Sequence, residues 1–163
     1  MNRTKKIGWV VFFLCVSLWG APYTDNGNGT VTDSTTGLIW QKCTKGLGTE
    51  VVGNCFSGIV DFNSWSSAYI YCKGLILGSR NDWRLPNINE LESIIDYSKP
   101  SNPTIDTTAF PNTKSSYWSS TRYAQNTNYV YYVDFTIGQV SFINGLLFTN
   151  QQNYHYVRCV TGP

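Results

Sequence analysis

Cys43, Cys55, Cys72 and Cys159 form an even set spread along the chain, and in an exported protein such a set predicts two disulfides. Export is read from the N-terminus. Arg3, Lys5 and Lys6 precede an uncharged, mostly apolar run from Ile7 to Trp19 that is too short to cross a bilayer as a helix, the pattern of a signal peptide. Residues 1–20 therefore read as a leader cleaved near Gly20, and 21–163 as the mature chain. The fifth cysteine, Cys15, lies inside the leader, where Phe12, Phe13 and Leu14 are bulky and a lipid-attachment site would have small residues. Three pairings of the remaining four are open. The reading favours Cys43 with Cys55, closing a Gly-rich loop, and Cys72 with Cys159, tying a helix to the last strand. Zinc is disfavoured because the four lack the close Cys-x-x-Cys spacing that zinc sites use.

Loss of the leader leaves nine basic against ten acidic residues, and no run of positive charge survives. Nucleic acid and anionic membrane surfaces are thereby disfavoured as partners. The mature length suits one domain with a real core, and aromatic residues, at 15% of the chain, outnumber charged ones at 13%. That balance, with Asn, Ser, Thr, Gly and Tyr supplying the polar surface, belongs to an extracellular fold rich in turns.

Along the chain, Tyr23–Lys42 reads as a β-hairpin region, Thr30–Thr32 and Leu38–Trp40 flanking turns of Asn, Gly, Asp and Ser. Asn26, Asn28 and Gly29 resemble part of a calcium loop, but Thr24 and Thr35 stand where carboxylates are needed, so the segment reads as a glycine-rich turn. A helix capped by Asn63 should place Trp65, Ala68, Tyr69 and Cys72 on one face and end at Gly74. A second follows Pro86, with Asn87 and Glu90 as a capping box and Ile88, Leu91, Ile94 and Ile95 as its apolar face, ending near Tyr97. Ser98–Asn112 reads as a long ordered loop. Strands are expected at Tyr117–Thr121, Tyr129–Phe135, Gln139–Ile143 and Tyr154–Val160, with turns at Gly138 and Asn144-Gly145. Hairpin, two helices and a strand-rich half make an α+β domain with a twisted, mainly antiparallel sheet.

Several segments carry a resemblance: Tyr23–Asp33, Thr36–Lys42, Trp65-x-x-Ala68 leading to Cys72, Trp83-Arg84-Leu85-Pro86 with Glu90-Leu91, Tyr117–Thr121, Gly138-x-Val140 and Val157–Val160. Their order and spacing resemble the Lcl C-terminal domain family, named for the C-terminal domain of a bacterial collagen-like adhesin and known as a domain of unknown function. The resemblance implies a variant of the C-type-lectin-like fold, in which a helix cysteine bonds a cysteine of the final strand, matching Cys72 and Cys159. It also implies an extracellular domain; the best-known member binds sulfated glycosaminoglycans. This chain departs from that member in lacking a collagen-like stalk and in being slightly negative once mature, which weakens the expectation of polyanion binding.

No residue set signals catalysis. His155, the single histidine, lacks an accompanying nucleophile motif and reads as a structural or exposed strand residue. Glu90 is explained as a cap partner and Glu92 as a solvated side chain. Sulfatase-modifying enzymes share the broader lectin-like fold but use free cysteines, and here both pairs have structural work. The calcium-site tripeptides of sugar-binding C-type lectins (Glu-Pro-Asn, Gln-Pro-Asp, Trp-Asn-Asp) are absent from the sequence. Trp83, Arg84, Trp118 and Arg158 lie in the family-like motifs and read as core and loop supports. The ligand-binding candidates are polar side chains on loops: Lys99, Lys114, Arg122, Asn126, Asn128, Asn150, Gln151 and Gln152. Tyr123, Tyr129 and Tyr131 are candidates for stacking, or for cross-strand pairing. The sequence thus points to a calcium-independent extracellular binding module without a cofactor, contacting a glycan or a matrix protein. A structural envelope protein, or an enzyme related to the sulfatase-modifying branch, are the alternatives.

Overall fold

A computed structural model describes residues 22–48, 55–100, 102–145 and 154–163. Residues 1–20, the expected leader that contains Cys15, lie outside them, as do Asn150, Gln151 and Gln152. The described elements are β1 (Tyr23–Asp25), β2 (Thr30–Asp33), β3 (Ile39–Gln41), α1 (Trp65–Gly74), α2 (Ile88–Glu92), β4 (Ser116–Arg122), β5 (Tyr129–Asp134), β6 (Gln139–Asn144) and β7 (Val160–Thr161). The α+β class holds, but the strands form two antiparallel sheets where one was expected, ordered β1-β2-β3-β7 and β4-β5-β6.

The last segment explains the split. Tyr154–Val160 was expected as one strand, yet only Val160–Thr161 is one, because the preceding backbone groups go to different partners. His155 pairs with Asn63, Tyr156 with Ser116 and Trp118, and the Val157 and Cys159 carbonyls accept from Lys45 and Gln41. This segment therefore stitches the two sheets together instead of extending either.

Asn63 was expected to cap α1, but its backbone is committed to His155 and its carbonyl also accepts the Trp118 indole N–H at 2.7 Å. Ser64 is the cap, its hydroxyl accepting from Ser67 N. The buried face of α1 is narrower than expected: Ala68 and Cys72 are buried, while Tyr69 is exposed. The capping box of α2 forms as read, Asn87 accepting from Glu90 N and Glu90 from Asn87 N. This helix stops at Glu92, however, short of Tyr97. A three-residue turn from Ile95 N to Glu92 O breaks its pattern, and Asp96 N then turns to Thr104 O. Ile94 and Ile95 stay buried beyond the helix end.

The core has two parts flanking the β4-β5-β6 sheet. One joins Val31, Trp40, Leu91, Ile94, Phe110, Tyr117, Val133 and Phe135; the other joins Ala68, Cys72, Trp83, Leu85, Trp118, Val130 and Val157. Residues an odd number of positions apart along β4 and β5 (Tyr117 and Trp118, Val130 and Val133) thus enter opposite cores, as the period-two alternation of a strand requires. The long loop around 98–112 carries no helix or strand among its described residues, yet it supplies Ile105 and Phe110 to the first core. Disulfides join Cys43 to Cys55 and Cys72 to Cys159, the second tying α1 to the approach to β7. Among the described residues no helix is long and apolar enough to cross a membrane.

Candidate functional site

At the end of the β4–β5 hairpin three half-buried tyrosines, one exposed phenylalanine and several exposed polar groups converge. Register places Tyr131 directly across from Phe142 of β6, so the two share a face. Tyr123, just past β4, is held by its N–H to the Tyr129 carbonyl and lies flat on Phe142, ring centroids 4.5 Å apart and planes 4° from parallel. Tyr131 and Tyr129 meet the same phenylalanine edge-on at 5.8 and 6.0 Å. Phe142 remains 45% exposed at the centre of this platform. The connecting turn is polar: Tyr123 Oη donates to Gln125 Oε1, and Asn126 Oδ1 accepts from Asn128 N. Gln125, Asn126 and Asn128 are all exposed, and the amide donors of the two asparagines project from a turn whose backbone is internally bonded.

On the other face of the hairpin, Arg122 lies over the Trp65 ring at 4.7 Å and donates to the Thr127 carbonyl at 3.3 Å. Trp65 is fixed by its indole N–H, which donates to Ser119 O at 2.8 Å. The Trp65 and Tyr69 rings are 6.1 Å apart, and Lys73 Nζ stands 6.0 Å above the Tyr69 ring. Between α1 and β4, Trp65, Ser66, Tyr69, Ile70, Ser120 and Arg122 line a cleft of about 480 Å³. Two clefts elsewhere are each about 290 Å³.

Of the residues singled out in the sequence, Arg122, Asn126, Asn128, Tyr123, Tyr129 and Tyr131 come together at this hairpin end. Lys99 and Lys114 do not. Lys114 precedes β4, at the strand end remote from Arg122, and its ammonium donates to Asn112 Oδ1. Lys99 donates to the Ile105 carbonyl beside the first core. Sequence reading missed Phe142, Trp65 and Tyr69 as site residues. Counting outward from Gly138 with the strand ends expected at Phe135 and Gln139 would have put Phe142 opposite Tyr132, one residue off the observed register, in which Asp134 pairs with Gln139 and Tyr131 with Phe142; the exposure of Tyr69 had no comparable signal.

The remaining candidates are structural. His155 is wedged between Trp118 and Tyr132, both ring centroids 4.3 Å away, and burial pushes it down to about 4 despite the opposing pull of Asp134, so it is neutral at pH 7. Arg84 grips Glu90 with two bonds of 2.7 Å. Burial raises the Glu90 carboxyl, but Arg84 and the Asn87 N–H outweigh it and hold it below its ordinary value. Trp83 and Trp118 are core residues. Arg158 is fully buried, its guanidinium 4.8 Å from the Phe110 ring and 5.1 Å from that of Tyr117, bonded to Thr113 Oγ1 and the Lys42 carbonyl. Burial lowers its pKa.

At the Asn/Gly turn, Lys42 occupies Asp25, and the Asn26 and Asn28 side chains bond Thr30 and Thr32. Among the described residues no three His, Cys, Asp or Glu side chains are grouped as metal ligands.

Comparison with curated proteins and with solved structures finds no match. The family model described as the Lcl C-terminal domain matches residues 29–161, a span that includes both disulfides, both helices and the whole β4–β5 hairpin. The chain belongs to the Lcl C-terminal domain family.

Proposed function

We propose that this domain is an extracellular, calcium-independent binding module that recognises a glycan or a matrix protein through the end of its β4–β5 hairpin. The observation that carries this reading is exposed Phe142, framed by the half-buried rings of Tyr123 and Tyr131 and bordered by the exposed Gln125, Asn126 and Asn128. Aromatic faces stack on apolar ligand surfaces, and adjacent amides supply both donors and acceptors for neutral hydroxyl or peptide groups. Placement on a hairpin braced by two cores gives the site a rigid support.

Family membership suggests a surface-associated domain, and two disulfides are consistent with export. The bond from Cys72 of α1 to Cys159 before β7 supports reading the architecture as a C-type-lectin-like variant. Binding without turnover is favoured because the single histidine is walled in by two rings and all four described cysteines are paired. Calcium independence is favoured by the committed side chains of the Asn/Gly turn.

The test is a glycan and matrix-protein array probed with the mature domain at low and raised salt. Binding that persists in salt and is lost in Phe142→Ala agrees with the proposal. No binding to any arrayed ligand would overturn it in favour of a structural envelope role.

A further inference from the structure

The row of cations and rings along α1 belongs to a different face of the hairpin from the platform and has its own chemistry. Trp65, Tyr69 and Lys73 recur at i, i+4 and i+8, and Arg122 reaches across from β4 to complete the order cation, ring, ring, cation. Among the described residues neither end cation has an ion-pair partner: the ion pairs there join Lys42 to Asp25, Lys45 to Asp61, Arg80 to Asp82 and Arg84 to Glu90. The first turn of α1, which borders the cleft, contains no acidic residue. The floor between the cations is apolar, with Ile70 70% exposed and Tyr69 42% exposed.

We propose that this cleft, together with Lys73 beyond its Tyr69 end, binds an extended acidic peptide of a partner protein, with one carboxylate on Arg122, a second on Lys73 and an apolar side chain between them on Tyr69 and Ile70. The inference starts from the binding-module reading but uses neither the platform nor its amides. Geometry sets the spacing. Eight helical residues separate Trp65 from Lys73, about 12 Å at the helical rise. Four residues of extended peptide span about 13 Å, and their i, i+2 and i+4 side chains share one face. Acidic residues four apart with an aliphatic residue midway therefore match the row. The guanidinium, stacked on Trp65 and held by one backbone carbonyl, keeps donors free for a planar carboxylate. An aliphatic floor at Ile70 favours a peptide over a sugar, because isoleucine gives hydroxyls nothing to bond. The cleft volume, about 480 Å³, lies within the usual range of ligand sites.

The probes are acetyl-ETLTE-amide, its neutral counterpart acetyl-QTLTQ-amide and a heparin-derived sulfated oligosaccharide, each titrated into the mature domain while the Trp65 indole N–H is followed by NMR. The acidic peptide should bind at least about tenfold more tightly than the neutral one at low salt, in keeping with the greater strength of charge-assisted bonds. Arg122→Gln and Lys73→Gln should each weaken it severalfold with unchanged unfolding temperature, and Ile70→Ser should weaken both peptides. Equal affinity for the two peptides, no binding of either, or indifference to both cation variants would overturn the proposal. Perturbation of Trp65 by the oligosaccharide alone would reassign the cleft to anionic glycans and overturn the peptide assignment. Phe142→Ala should leave peptide binding intact, so failure at this cleft and failure at the platform are read separately.

Discussion

His155 lies between Trp118 and Tyr132 in the second core, and mild acid tests that placement without any change of sequence. Burial holds its pKa at about 4 in the folded domain, against about 6.5 for a solvated imidazole. Its folded value is the lower one, so between these limits the unfolded chain binds the extra proton and stability falls as pH falls. The carboxylates of Asp25, Asp82, Glu90 and Asp96 are also held low, but their unfolded values near 3.8 to 4.5 put their losses at more acid pH. In the interval from pH 6.5 to pH 5 the single histidine dominates. Linkage gives a loss of about 2 kcal/mol between pH 7 and pH 5, growing to about 3 kcal/mol at pH 4. For a domain of this size that is a fall in unfolding temperature of roughly 4–8 °C by pH 5. The assay is reversible thermal or urea unfolding of the mature domain at half-unit steps of pH, alongside His155→Phe, which keeps an aromatic ring in the slot. Wild type should lose stability through this interval while the variant stays flat. Equal slopes for the two proteins, or a wild type that gains stability as pH falls to 5, would refute the assignment of a buried neutral imidazole.

Two further expectations concern the covalent and polar parts of the core. The disulfides close loops of very different length, with sequence separations of 87 and 12. In the chain-entropy model, removing Cys72–Cys159 by a double alanine substitution should therefore lower stability by about 4.5 kcal/mol, against about 3 kcal/mol for Cys43–Cys55; urea unfolding that gave the reverse order would contradict this. Arg158 is fully buried between Phe110 and Tyr117 and belongs to none of the described ion pairs. Arg158→Met, which keeps a long apolar stem and removes the buried charge, should stay within about 2 kcal/mol of wild type, whereas Arg158→Lys should lose more because an ammonium cannot stack as a plane between two rings. A stable lysine variant beside an unfolded methionine variant would show that the charge itself is required.

What could be read from the sequence was whatever short-range chemistry decides. The Asn87–Glu90 capping box and the Gly138 turn were visible because their partners lie within a few residues. At Gly138 φ is +66°, and an added Cβ would press on Ile95 and Thr104 at 3.2 and 3.3 Å, so the turn and its close packing both call for glycine. The disulfide pairing was legible because one loop is short and Gly-rich and the other joins a helix face to the chain end. What failed was decided by distant partners. Asn63 looked like a cap until His155 and Trp118, far along the chain, claimed its backbone. Tyr154–Val160 looked like one strand because its composition is β-prone, but its hydrogen bonds are divided among four regions of the chain. The site was legible to the extent that Asn126 and Asn128 share the turn of one hairpin and Arg122 ends the strand that enters it. Lys99 and Lys114 were grouped with them by polarity alone, and polarity does not report which end of a sheet a loop occupies. Phe142 read as one more strand aromatic because its exposure depends on tertiary packing over the β4-β5-β6 sheet, which strand composition does not report.

The binding claim is tested most directly by mapping a ligand selected from the glycan and matrix-protein array onto the backbone amides of the domain by NMR. The largest changes should fall on Tyr123, Gln125, Asn126, Asn128, Tyr131 and Phe142, should survive raised salt because stacking and neutral hydrogen bonds are little screened, and should be removed by Phe142→Ala without unfolding of the domain. Changes centred instead on Lys99 and Lys114, at the remote end of the same sheet, would contradict it.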